Sequence, residues 1–166
     1  MFETKKIRTL FSKKKPLLKQ INLKIPRDFR EMTFTEKMHH YPIQDRIPQE
    51  AFINQNQDSI IGIRHTKDHL SPDQLEDYKQ NVFDKIFNTP SIQNYQSSII
   101  PTRKTPCILV SYTLMMDEPL FVMNLVGSHK ETMLFVTFSC PKKNKDQWKT
   151  IIEKAFENIK LEIPKN

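Results

Sequence analysis

The chain predicts an α+β fold, a mostly antiparallel sheet with long helices packed on it, and three observations predict it. Between residues 92 and 139 apolar runs of strand length are joined by short polar links, too short for the crossovers that parallel strands need. Two other stretches repeat their apolar residues at spacings of three and four, the period of an amphipathic helix. Strands and helices are also grouped along the chain instead of alternating, the order strand, hairpin, helix, meander, helix. With 166 residues, 37% of them apolar and eleven Phe, one domain with a substantial core is expected.

The elements follow in order. Residues 21–25 alternate, with Ile21, Leu23 and Ile25 on one side, and predict a half-buried strand that Pro26 ends. Residues 33–39 suit one short helical segment. Residues 51–54 and 59–65 read as a hairpin around the polar turn 55–58. Ser71, Pro72 and Gln74 then provide an N-cap, a proline at the first helical position and a capping-box partner. Leu75, Tyr78, Val82 and Ile86, widened by Phe83 and Phe87, predict a helix over 72–87 that stops before Pro90. The aromatic residues of this stripe suit core packing. Four strands are predicted at 92–100, 107–116, 119–127 and 132–139; the last three are apolar enough that both sheet faces want cover. A closing helix starts at Asn144 as cap and shows Trp148, Ile151, Ile152, Ala155, Phe156 and Ile159 on one face.

Composition excludes several function classes. Gly62 and Gly127 are the only glycines, whereas phosphate-cradling loops need several so that backbone N–H groups can approach the ligand. The net charge of +7 is unevenly spread. Residues 1–20 hold seven Lys/Arg against one acid, and the remaining residues hold 19 against 18. A flexible basic tail over 1–20 and a nearly neutral domain over 21–166 are therefore expected. No apolar core of a secretory signal follows the basic start, and no run approaches the ~20 apolar residues of a membrane span, so a cytoplasmic location is expected. Cys107 and Cys140 lie in strand-like apolar surroundings and read as packed thiols.

Catalytic and metal chemistry find little support. His65 and His69 are four apart, but at a strand end and before a helix cap, so they lack helical geometry and a third ligand. A Cys–His nucleophile would need Cys140 or Cys107 exposed beside His129, and packed thiols are the simpler reading. No catalytic residue, metal, cofactor or small-molecule substrate is expected, and the chain reads as non-enzymatic.

Local text adds a resemblance. IPRDFREM, the Tyr41-Pro42 pair, Arg46 with Pro48, the AFIN and SIIGI hairpin, LFVTFSCP, Trp148 and the closing AFENIKL resemble the PsbP-like superfamily over residues 21–162. That group includes Mog-type Ran-binding proteins, photosystem PsbP subunits and bacterial Eag-type chaperones of type VI secretion effectors, and the bacterial members are the most similar. The resemblance implies an α/β/α-type layered sandwich. It also implies a bacterial, secretion-associated chaperone or adaptor that holds the apolar segment of an effector or membrane-destined polypeptide against a sheet.

Candidate partner-binding residues are Met115, Met116, Met123 and Met133, four of the seven methionines, whose flexible thioethers suit varied apolar partners. Tyr41, Arg46 and Phe52, in a proline-stiffened segment, are of types that anchor interfaces. The alternative is recruitment to anionic lipid or nucleic acid through Lys5, Lys6, Arg8, Lys13, Lys14 and Lys15.

Overall fold

Residues 15–163 are described by a computed structural model. Its centre is one seven-stranded, wholly antiparallel sheet: β1 (Phe29–Glu31), β2 (Glu50–Asn54), β3 (Ile60–His69), β4 (Ile92–Pro101), β5 (Pro106–Leu114), β6 (Leu120–His129) and β7 (Thr132–Pro141). The strands lie side by side in the order β1-β2-β3-β7-β6-β5-β4. The meander of β4 to β7 thus folds back so that its last strand pairs with the hairpin's second strand, Ile61 opposite Phe138.

Alternation along each strand sends one set of side chains to each face. On the first face Phe52, Ile61, Ile63, Met123, Leu125, Val136 and Phe138 meet Trp148, Ile152 and Phe156 of the C-terminal helix. This forms the main core. On the second face two smaller clusters form. Ile108, Val110, Val126 and Met133 pack under Leu70, Leu75 and Phe83, and Ala51 and Ile53 pack under Met32 and Tyr41. The layered α+β arrangement therefore holds.

The helices are shorter than expected. Besides the one-turn α1 (Leu17–Gln20), they are α2 (Phe34–His40), α3 (Leu75–Tyr78), α4 (Asp84–Ile86) and α5 (Lys145–Glu157). Residues 72–86 begin with a 3-10 turn and are interrupted by a π-helical stretch, Lys79–Phe83, between α3 and α4. The capping box of Ser71 and Gln74 is present, as is a second one in which Thr33 and Glu36 start α2. Asn144 holds the N-cap position of α5, yet its amide is turned away to donate to Asp58 at 3.2 Å.

Three expectations change at the N-terminal side. Residues 21–25 form no strand: Asn22 has a φ of 55°, and buried Ile21 and Leu23 dip into the main core as irregular chain. β1 was not expected, because three residues with one buried side chain show no period. The boundary at residue 20 also moves. The backbone N–H groups of Leu17 and Leu18 both donate to the Glu50 carboxylate, and both side chains pack on the main core, so folded chain reaches back through α1. Lys5, Lys6, Arg8, Lys13 and Lys14 lie outside the described residues; Lys15 is exposed.

The two cysteines sit toward opposite ends of β6. Cys140 pairs with Phe121, while Cys107 packs its Sγ 2.8 Å from where a Cβ on Gly127 would be. Burial pushes the Cys107 thiol up to about 11 and the Cys140 thiol up to about 12.

Candidate functional site

The two faces of the sheet are unequally covered at its centre. On the α5 side the middle of β6 and β7 is sealed: Met123, Leu125, Val136 and Phe138 are buried. On the other side Asn124, Phe135, Thr137 and Ser139 of the same strands remain partly exposed, Asn124 between buried Val122 and Val126. The register runs Gly62, Thr137, Asn124, Val110 across four strands, so these residues form a continuous floor. This half-open trough is the candidate binding site.

Its two walls have physical causes in the sequence. One is the segment 32–48. Met32 and Tyr41, on either side of α2, pack onto Ala51, Ile53 and Ile60. Tyr41 fits because Gly62 lacks a Cβ; one there would lie 2.9 Å from the Tyr41 hydroxyl and 3.3 Å from Pro48 Cγ. Burial pushes the Tyr41 phenol up to about 12. The other wall is the interrupted helical run 72–86. Phe87, just after it, lies against Tyr95 and Tyr112 with ring centroids 5.5 and 4.7 Å away, and Phe83 stacks on Phe87 at 5.9 Å.

Asp84 ties this wall to β4 by accepting from the hydroxyls of Tyr95 and Ser97, both at 2.7 Å, and from Lys79 Nζ at 3.2 Å. These hydrogen bonds hold its carboxyl below the ordinary range. At the β3 side of the floor the Arg64 guanidinium covers the Phe135 ring at 4.6 Å.

The floor mixes hydroxyls, an amide and apolar groups, so it can seat an apolar surface and still offer hydrogen bonds. Exposed large apolar residues lie on the elements around this face: Phe34 (74% exposed), Met38 and Ile43 in and after α2, Ile86 in α4, and Met115 and Met116 at the tip between β5 and β6. Phe34 and Met38, four apart, share one side of α2.

The residues singled out from sequence are divided by this geometry. Met115 and Met116 are exposed together, whereas Met123 is fully buried in the main core and Met133 is buried in the second cluster. No strip of four methionines exists, because alternation along β6 and β7 turns the latter two inward, onto opposite faces. Phe52 is corrected likewise: it points into the main core, on the face opposite Tyr41. Arg46 is exposed in the 3-10 turn Gln44–Arg46. The trough residues Asn124, Thr137 and Ser139 were missed. Within β6 and β7 they read as ordinary polar interruptions, and the strand order sets them beside Gly62 of β3.

The histidines meet differently from their spacing. His65 packs against His129, centroids 5.3 Å apart, with His65 Nε2 3.0 Å from the His129 carbonyl. His129 Nδ1 accepts from the Glu162 backbone N–H at 2.9 Å. Among the described residues no three His, Cys, Asp or Glu side chains gather as a metal-holding group, and no helix is long and apolar enough to cross a membrane. Both cysteines are packed thiols, as their strand-like surroundings suggested, and His129 Nδ1 is engaged by the Glu162 backbone.

No family model and no curated protein matches the sequence. Solved structures do. LpqN, involved in cell envelope biogenesis of Mycobacterium tuberculosis, is similar with a TM-score of 0.59 at 14% identity, over 86% of this chain and 83% of that one. PA94, a protein of unknown function from Pseudomonas aeruginosa, is similar with a TM-score of 0.46 at 10% identity, over 83% and 82%. The likeness to LpqN is a likeness of fold.

Proposed function

We propose that the protein is a non-enzymatic binding protein, a chaperone or adaptor of the bacterial PsbP-like type, which holds the apolar segment of a secreted or membrane-destined polypeptide in the trough. The observation that carries this reading is the unequal covering of β6 and β7. In β6 and β7 the α5 face is sealed by core residues, whereas on the opposite face Asn124, Phe135, Thr137 and Ser139 stay partly exposed between two walls. Adaptable thioethers at Met38, Met115 and Met116 on surrounding elements suit partners of varied shape. The fold likeness to an envelope-biogenesis protein is compatible with an envelope-directed client. The domain is read as cytoplasmic, with no catalytic residue, cofactor or metal.

The test is a pull-down from the native host with three forms: the full chain, a chain lacking residues 1–14, and the full chain with Thr137→Arg. Thr137 is half-exposed, so the arginine blocks the trough without entering a core. The proposal expects one dominant polypeptide with an apolar segment, kept by the first two forms and lost by the third. Retention by Thr137→Arg would refute it. Recovery of lipid or nucleic acid only, and only with residues 1–14 present, would give the function to Lys5, Lys6, Arg8, Lys13 and Lys14 instead.

A further inference from the structure

A second concavity lies away from the trough, on the flank of α5. It encloses about 380 Å³ and is lined by Lys24, Ile25, Pro26, Arg27, Ile151, Lys154, Ala155 and Asn158. The volume falls within the span of small-molecule sites. Its chemistry is divided cleanly. Ile25, Pro26, Ile151 and Ala155 make an apolar floor, and Ile151 is 47% exposed although it stands on the apolar side of an amphipathic helix. Around that floor stand three cations, Lys24, Arg27 and Lys154, and not one acid. Among the described residues none of the three takes part in an ion pair. Three exposed cations with no acid among the lining residues give this rim a positive field that favours an anion.

We propose that this pocket binds an anionic amphiphile with a single acyl chain. The carboxylate or phosphate head is held by Arg27, Lys24 and Lys154, and the first methylenes lie on Ile25, Pro26, Ile151 and Ala155. Arg27 supplies the planar fork that pairs with either head group, and the lysines add mobile point charges. The apolar floor gives the chain its own contribution, so a bare anion binds more weakly than the amphiphile. The site is independent of the trough and stands if the chaperone reading falls.

The test follows amide NMR shifts of the full chain with decanoate, kept below its micelle-forming concentration. Acetate, decyltrimethylammonium and an acidic peptide without apolar residues serve as comparisons. Decanoate is expected to give saturable shifts confined to residues 24–27 and 151–158, and acetate and the acidic peptide to bind at least about tenfold more weakly. Arg27→Glu with Lys154→Glu is expected to weaken decanoate by about tenfold or more without moving the thermal midpoint, because both side chains are exposed. Ile151→Gln keeps the charges and removes part of the floor, so it should weaken decanoate but leave acetate alone. Equal affinity for decyltrimethylammonium, shifts centred elsewhere, or decanoate binding unchanged in these variants would overturn the proposal. An acidic peptide that matched decanoate would overturn it as well.

Discussion

His129 couples the closure of the C-terminal segment to pH. The side chain is 1% exposed, and its Nδ1 accepts from the Glu162 N–H while the Lys130 N–H donates to the Glu162 carbonyl at 3.0 Å. Burial is the main cause that lowers its pKa from 6.5 to about 4; neighbouring His65 and Lys130 lower it further, and Glu162 opposes them. Between these two values the unfolded chain binds a proton that the folded chain refuses. Stability from this group is therefore fully present above about pH 6.5 and lost as pH falls toward 4. At about 1.4 kcal/mol per pH unit, His129 alone removes about 2 kcal/mol between pH 8 and pH 5. His129→Gln retains an acceptor for the Glu162 N–H and cannot titrate. Urea unfolding of both proteins at pH 8, 6 and 5 isolates the effect, because every other ionisable group is common to both. The native protein should lose about 2 kcal/mol more than the variant over that interval. A difference under about 0.5 kcal/mol would show that His129 is not held neutral by the fold.

Three further outcomes are expected. Gly127→Ala places a Cβ 2.8 Å from Cys107 Sγ and against Leu161 Cδ1, two packed groups of the main core, and should cost about 1–3 kcal/mol in chemical denaturation; adding Cys107→Ala should restore part of it. Both cysteines should resist a thiol reagent at pH 8 in the folded protein and react fully in urea, because buried thiols pushed up to about 11 and about 12 supply almost no thiolate. Fast labelling of one equivalent in the native state would contradict this. Asp84→Asn weakens the acceptor shared by Tyr95, Ser97 and Lys79 and should speed hydrogen exchange in residues 79–87 before that of β5 to β7, with a stability loss of about 1–2 kcal/mol.

Much of the fold was legible because it is written locally. Capping residues marked where the 72–86 run begins, and apolar period marked β4 to β7 within a few residues. The errors arise where alternation has a second cause. Ile21 and Leu23 alternate because irregular chain turns two side chains inward, with a left-handed Asn22 between them. Nothing local announced the π-helical stretch inside an otherwise regular stripe. The candidate site was less legible still. Asn124 and Thr137 pair within the β6–β7 hairpin, but Gly62 joins their floor only because β7 inserts between β3 and β6, and Met123 is withdrawn from the surface by the same alternation that leaves Asn124 on it.

The strand order also governs when the protein can finish folding. The first hairpin, β2 with β3, is made early in synthesis, but its inner edge is matched only by β7, Ile61 waiting for Phe138 77 positions later. Until β7 and then α5 have left the ribosome, β3 shows an unpaired edge and the apolar residues Ile61 and Ile63 to any neighbouring chain. The nascent protein is thus for a time a client of the very kind it is proposed to serve, with apolar strand surface awaiting cover. Its slow step should be this long-range closure, and early truncation should yield aggregation instead of a smaller folded domain.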